Sequence, residues 1–221
     1  GIELWVTYGR PTSTNTRLVK DINPGGANSI SSWQDPINNR PACAFGDLLI
    51  CRATTASAGS ELWRSDGTLL GTRLIKDLAP GSAGSNPLRL TVAGNYVFFV
   101  ATVPGLGAEL WRTDGTAAGT ILLRDGLAGN GSGGPTEIAA FGGYAWFPAS
   151  SAGEGTELWR SDGTPAGTAQ FLAIYPGANS ASPARLTVGA GALFFTASSP
   201  GAGNELWRTD GTVAGTAMVR D

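Results

Sequence analysis

Apolar residues along this chain alternate with polar ones over short stretches and nowhere recur at helical spacing. Representative runs are Leu90-Thr91-Val92 and Tyr96-Val97-Phe98-Phe99-Val100, joined at Gly94-Asn95. Their counterparts are Ile138 to Phe141 with Tyr144 to Phe147, and Leu186 to Val188 with Ala192 to Thr196. A second kind of run is more polar. It is Glu-Leu-Trp-Arg, where a period of two puts Glu and Trp on one face and Leu on the other. A stretch such as Thr72 to Asp77 follows it, after a turn such as Asp66-Gly67-Thr68. Glycine accepts positive φ and the short Asp side chain takes backbone N–H groups, so this turn reads as a hairpin. Apolar hairpins thus alternate with polar ones.

Glu-Leu-Trp begins at Glu3, Glu61, Glu109, Glu157 and Glu205; the first interval is 58 residues and the others are 48. Four strands in about 48 residues, with a turn every 8 to 12, is the spacing of a β-propeller blade. The apolar hairpin is expected to lie inside, next to the channel, and the polar one outside. Outer hairpins begin at all five glutamates, whereas inner ones occur only near 39–55, 87–102, 135–149 and 183–197. The prediction is an all-β propeller of four-stranded antiparallel blades in a single domain over 1–221, five blades with one incomplete. Its parts are an outer hairpin at 3–21 and units at about 28–77, 85–125, 133–173 and 181–221. Closure would take about 30 further residues by the repeat's own spacing. The open blade is a place for self-association. Trp5, Trp63, Trp111, Trp159 and Trp207 are expected between blades.

Composition narrows the chemistry. Apolar residues make up 42% of the chain and charged ones 14%, against a typical charged share of about 25%, so a core forms with few ionisable groups. The net charge of −2 lacks the basic footprint of a nucleic-acid binder. No apolar run approaches the length of a membrane helix, so membrane insertion is not expected. The opening at Gly1 reads as neither a signal peptide nor a translational start, which suggests a trimmed chain. Histidine is absent, which removes the commonest general base and metal ligand. The expectation is a protein that is not an enzyme and carries no cofactor or metal.

Glu61 to Thr68, Glu109 to Thr116, Glu157 to Thr164 and Glu205 to Thr212 read Glu-Leu-Trp-x-x-Asp-Gly-Thr. This resembles the repeat of bacterial ELWxxDGT-repeat proteins, and the resemblance implies a large exported or surface protein. In blade length and number the chain is also similar to five-bladed lectins of the tachylectin type.

Within the repeat, Asp66, Asp114, Asp162 and Asp210 fit turn capping better than calcium binding, since one carboxylate per turn is too few oxygens for calcium. Arg89, Glu137 and Arg185 align on three successive inner strands, as a salt-bridge ring or as a clamp for an anion or sugar. The loops between blades carry Asn86, Asn130, Tyr175, Asn179 and Trp33, whose amides and rings suit sugar hydroxyls and sugar faces. By the 48-residue offset, Cys43 and Cys51 take the places of Thr91 and Phe99. They face each other if the turn is centred on Asp47, which predicts a disulfide, two buried thiols being the alternative. A bridge implies an oxidising compartment and hence a secreted or cell-surface protein. The functional expectation is a secreted, lectin-like module binding glycan or cell-surface polysaccharide at repeated weak sites between blades. The alternative is a structural, adhesive or self-assembling module.

Overall fold

The computed structural model describes residues 1–7, 15–30, 40–127, 129, 131–151 and 153–220. Every element among them is a strand. The chain opens with an antiparallel hairpin of β1 (Leu4–Thr7) and β2 (Thr16–Lys20). A first blade follows, made of β3 (Ala42–Phe45), β4 (Leu48–Thr55), β5 (Gly59–Ser65) and β6 (Arg73–Lys76). The second contains β7 (Leu88–Ala93), β8 (Tyr96–Val103), β9 (Gly107–Thr113) and β10 (Ile121–Arg124). The third contains β11 (Ala139–Phe141), β12 (Tyr144–Ser151), β13 (Glu154–Ser161) and β14 (Ala169–Leu172). The fourth contains β15 (Ala184–Gly189), β16 (Ala192–Ser199), β17 (Gly203–Thr209) and β18 (Ala217–Arg220). The fold is a β-propeller whose fifth blade is represented by its outer hairpin, β1–β2. The apolar hairpins are the inner ones: β3, β7, β11 and β15 follow one another around an open channel of about 750 Å³.

Period-two alternation gives each blade two apolar faces. Leu62 and Ile75 of the first blade meet Val97, Phe99 and Trp111 of the second. Leu110 and Leu123 meet Phe147 and Trp159 of the third, and Leu158 meets Phe195 and Trp207 of the fourth. The leucine face of each of the first three blades is thus covered by the tryptophan face of the next. Burying one such leucine stabilises the fold by about 1.5–3 kcal/mol. A bulge repeats in every outer pair: Leu62 faces Lys76 and Trp63 faces Leu74, which leaves Ile75 extra, as are Leu123, Phe171 and Val219 in the later blades. The extra residue sharpens the local twist.

The structure corrects two expectations. Trp63, Trp111 and Trp159 are each 8% exposed between blades, but Trp5 is 58% exposed, because among the described residues no second strand of its own blade and no leucine face of a preceding blade covers it. Cys43 and Cys51 form no bridge. The hairpin turns at Gly46-Asp47, so Cys43 faces Ile50 and Cys51 faces Ala42, one position out of register with the predicted pairing. A shift of one residue sends the two side chains to opposite faces of the sheet. Cys43 packs toward the second blade's cluster and Cys51 beside Trp63 and Ile22. The argument for an oxidising compartment loses this premise. Burial pushes both thiols up to about 12, Cys51 being raised further by its neighbour Cys43. Thiolate chemistry is therefore suppressed in the folded protein. Labelling with a thiol reagent is expected to detect both cysteines after denaturation and to modify Cys51 negligibly before it, read by intact mass.

Candidate functional site

Two carboxylates recur in every unit, and their surroundings assign both to the framework. In the outer turn, Asp66 Oδ1 accepts the Thr68 amide at 2.9 Å and the Thr68 hydroxyl at 2.7 Å. Thr68 Oγ1 in turn accepts the Gly71 amide, and Thr72 Oγ1 donates to the Thr68 carbonyl. The pattern repeats at Asp114, Asp162 and Asp210. A methyl group on Gly71 would sit 1.9 Å from Asp66 Oδ1, and one on Gly119 2.0 Å from Asp114 Oδ1, which explains the glycine five residues after each turn aspartate. The Thr68 hydroxyl and amide hold Asp66 below the ordinary carboxylate value, and Thr212 does the same to Asp210.

The glutamate of Glu-Leu-Trp has the opposite environment. Glu61, Glu109 and Glu157 are at most 1% exposed. Glu109 accepts the Gly126 amide on Oε2 at 3.0 Å and the Gly133 amide on Oε1 at 2.7 Å. Glu157 takes Ile174 on Oε2 and Tyr175 and Ala181 on Oε1, and Glu61 takes Ala79 and Ser85. Each carboxylate thereby pins the crossover that leads to the following blade. Burial pushes Glu109 and Glu157 above the ordinary value, and the amides only partly offset it.

Next in sequence to the channel-lining Leu90, Ile138 and Leu186 come Arg89, Glu137 and Arg185, of which Arg89 and Arg185 lie on inner strands and Glu137 just before one; Arg89 and Glu137 bond to main chain of the next blade. Arg89 Nε donates to the Thr136 carbonyl of the next blade. Glu137 Oε2 accepts the Leu186 amide at 3.1 Å, again one blade on. Burial raises Glu137, against the Leu186 and Arg185 amides and the charge of Arg89. Arg89 and Arg185 occupy β-bulges with φ of 59° and 60°, a backbone that side-chain-bearing residues seldom adopt. Arg185 is exposed. Arg40, with φ of 27°, lines the same channel beside Cys43, Thr91 and Thr187 and is not singled out by the repeat.

The predicted loop residues separate. Asn86 lines a cleft of about 440 Å³ between the first two blades, together with Pro80, Thr102, Pro104, Gly107 and Ser132. Its main chain is fixed by an N–H bond to the Ser60 carbonyl at 2.9 Å. Tyr175 is half-buried against the core between the third and fourth blades, and Asn179 is exposed in the crossover lying on Gly155. Trp33 and Asn130 lie outside the described residues. Thr102 and Ser132 were missed because short hydroxyl residues in such loops carry no signal until the two loops are brought together. The arginines of the outer motif were missed as well: Arg64 and Arg160 each donate to the glycine carbonyl of the next blade's turn, at Gly115 and Gly211. Arg112 and Arg160 lie over the Tyr96 and Tyr144 rings.

No family model and no curated protein matches the sequence. Among solved structures, the chain is similar to puromycin hydrolase. It aligns with a point mutant of that enzyme complexed with PGG at 17% identity and a TM-score of 0.55, over 93% of this chain and 30% of that one. It aligns with puromycin hydrolase itself at 16% identity and a TM-score of 0.52, over 94% of this chain and 32% of that one. The chain thus spans about a third of the length of these proteins, and the likeness is one of fold. It overturns the expectation that the chain is not an enzyme, since both named structures that share its fold carry the name of a hydrolase.

Two outcomes follow from the carboxylates. Glu157→Ala leaves the buried Ile174, Tyr175 and Ala181 amides without their acceptor, so it is expected to cost about 1–3 kcal/mol in chemical denaturation. The pH profile combines opposite signs. Glu109 and Glu157 are raised from 4.5, so their contribution is full below that value and is lost as pH rises through the folded pKa. The turn aspartates are lowered from 3.8, so theirs is present above that value and is lost as pH falls through the folded pKa. The denaturation midpoint is expected to rise on acidification from neutrality toward 4.5 and to fall below 3.8. Replacing Glu109 and Glu157 together by Gln should flatten the first limb.

Proposed function

We propose that the protein binds carbohydrate in the clefts between its blades. The supporting observation is the cleft of about 440 Å³ holding Asn86. Its volume lies in the range of small-molecule sites, and its lining mixes pyrrolidine rings with an amide and hydroxyls. An amide can donate to one sugar hydroxyl and accept from another, while the proline rings offer an apolar surface to a sugar face. Asn86 is held in place through its own backbone, which limits the entropy lost on binding. Similar loops recur at the later crossovers, where Ser132 and Ser180 accept the Ala108 and Thr156 amides. Repetition of weak sites supplies avidity toward a polysaccharide that presents many copies of one unit. A surface or secreted setting suits that ligand.

The likeness in fold to puromycin hydrolase favours a second reading, in which these blades are the propeller part of a longer hydrolytic chain.

Calorimetric titration with a panel of mono- and oligosaccharides is expected to show saturable binding at millimolar or tighter ligand. Asn86→Ala should weaken it about fivefold, the equivalent of one hydrogen bond. No saturation by any sugar rejects the carbohydrate reading, and saturation by puromycin in its place supports the second.

A further inference from the structure

We propose that the third blade carries a site for a sugar acid, separate from the cleft that holds Asn86, in which Arg160 receives the carboxylate. A recess of about 320 Å³ lies between the third and fourth blades at their Asp-Gly-Thr turns, lined by Tyr144, Arg160, Asp162, Gln170, Phe171 and Val213. The repeat does not account for it. Gln170 and Phe171 stand where the first blade has Leu74 and Ile75 and the second has Leu122 and Leu123. Ile75 and Leu123 are buried as the extra residues of their bulges, whereas Phe171 is only half-buried, and Gln170 brings an amide into the recess.

The walls are fixed by packing. Trp146 is fully buried, its indole N–H donates to the Phe141 carbonyl at 2.9 Å, and the Phe171 ring stands edge-on to it with centroids 4.7 Å apart. The Arg160 guanidinium lies 4.6 Å from the centre of the Tyr144 ring, 4.8 Å from that of Phe171 and 5.6 Å from that of Trp146. Its Nη1 donates to the Gly211 carbonyl at 2.9 Å, which sets the plane of the fork. After its threonine, Asp66 is also lowered by Arg64 and Asp210 by Arg208, whereas Asp162 is lowered by hydrogen bonds of its own turn alone, the Thr164 amide first. A planar cation stacked on rings and tied to a carbonyl is pre-organised for a carboxylate, with little freedom left to lose on binding.

The remaining groups select the body that carries the carboxylate. Gln170 offers a donor and an acceptor, and the ionised Asp162 accepts hydroxyls while repelling a dianion such as phosphate more than a monoanion. Phe171 and Val213 present apolar surface to the C–H face of a ring. A uronic acid meets all of these demands, which a neutral sugar, a bare phosphate or an aromatic acid without hydroxyls does not.

The test is calorimetric titration of the full chain with glucuronate, glucose, benzoate and inorganic phosphate. Glucuronate is expected to saturate the protein at millimolar ligand and the other three to bind at least about tenfold more weakly. Gln170→Leu with Phe171→Leu restores the residues of the second blade, so the variant should fold, and it should weaken glucuronate about fivefold or more. Arg160→Lys keeps the charge but loses the fork and should weaken it about tenfold, whereas Arg64→Lys, which alters the equivalent bond to Gly115, should change nothing. Asn86→Ala should also be silent toward glucuronate, which separates this site from the cleft. The proposal is overturned if glucose, benzoate or phosphate binds as tightly as glucuronate, if the leucine double variant binds as before, or if Asn86→Ala abolishes the binding.

Discussion

A carboxylate removed from water must be surrounded by donors, and in this propeller the donors come from the chain segment that leaves for the next blade. Glu61, Glu109 and Glu157 sit on the third strand of their blades and take amides from the crossover that follows the fourth. Those amides leave the ladder and would otherwise be buried without partners, so glutamate and crossover solve each other's problem. The pairing ties the middle of one sheet to the start of the next. With the glutamate so placed, the adjacent Trp lies on the same face and Leu on the other, and the leucine-to-tryptophan contact between blades follows.

The aspartate of each unit carries the same charge but exerts the opposite effect on pH dependence. It stands at the surface, is held by a threonine hydroxyl and amide, and needs a glycine where any side chain would strike its oxygens. Both acids are consumed by framework bonds in the first three blades. Chemical individuality therefore falls to positions the repeat varies: Arg89, Glu137 and Arg185, next in sequence to channel-lining residues, and Asn86 with Thr102 and Ser132 between the first two blades. The left-handed backbone of Arg89 and Arg185 marks the bulges that turn the inner strands there.

Blade length, strand order and the four inner hairpins were legible because the Glu-Leu-Trp motif and the Asp-Gly-Thr turn are local chemistry repeated at one spacing. The cysteine pairing was not, because a hairpin that turns at Gly46-Asp47 and one centred on Asp47 read almost alike in sequence yet differ by a residue in register. Of the candidate ligand residues, Asn86 reached a cleft, whereas Tyr175 was drawn into the core between the third and fourth blades. An aromatic ring next to a turn carries no indication of whether solvent or a neighbouring blade will claim it.

The sequence by itself determined the sheet, the sites of its turns and which residues share a face, since these depend on alternation and on contacts a few residues apart. Only the tertiary structure decided which faces are covered. Trp5 and Trp63 lie in the same motif, and one is exposed while the other is buried, because burial depends on whether a neighbouring blade is present. The physical reason is that hydrogen bonds within a hairpin are local, whereas the hydrophobic contact that stacks one blade on the next requires surfaces more than forty residues apart in the chain to meet.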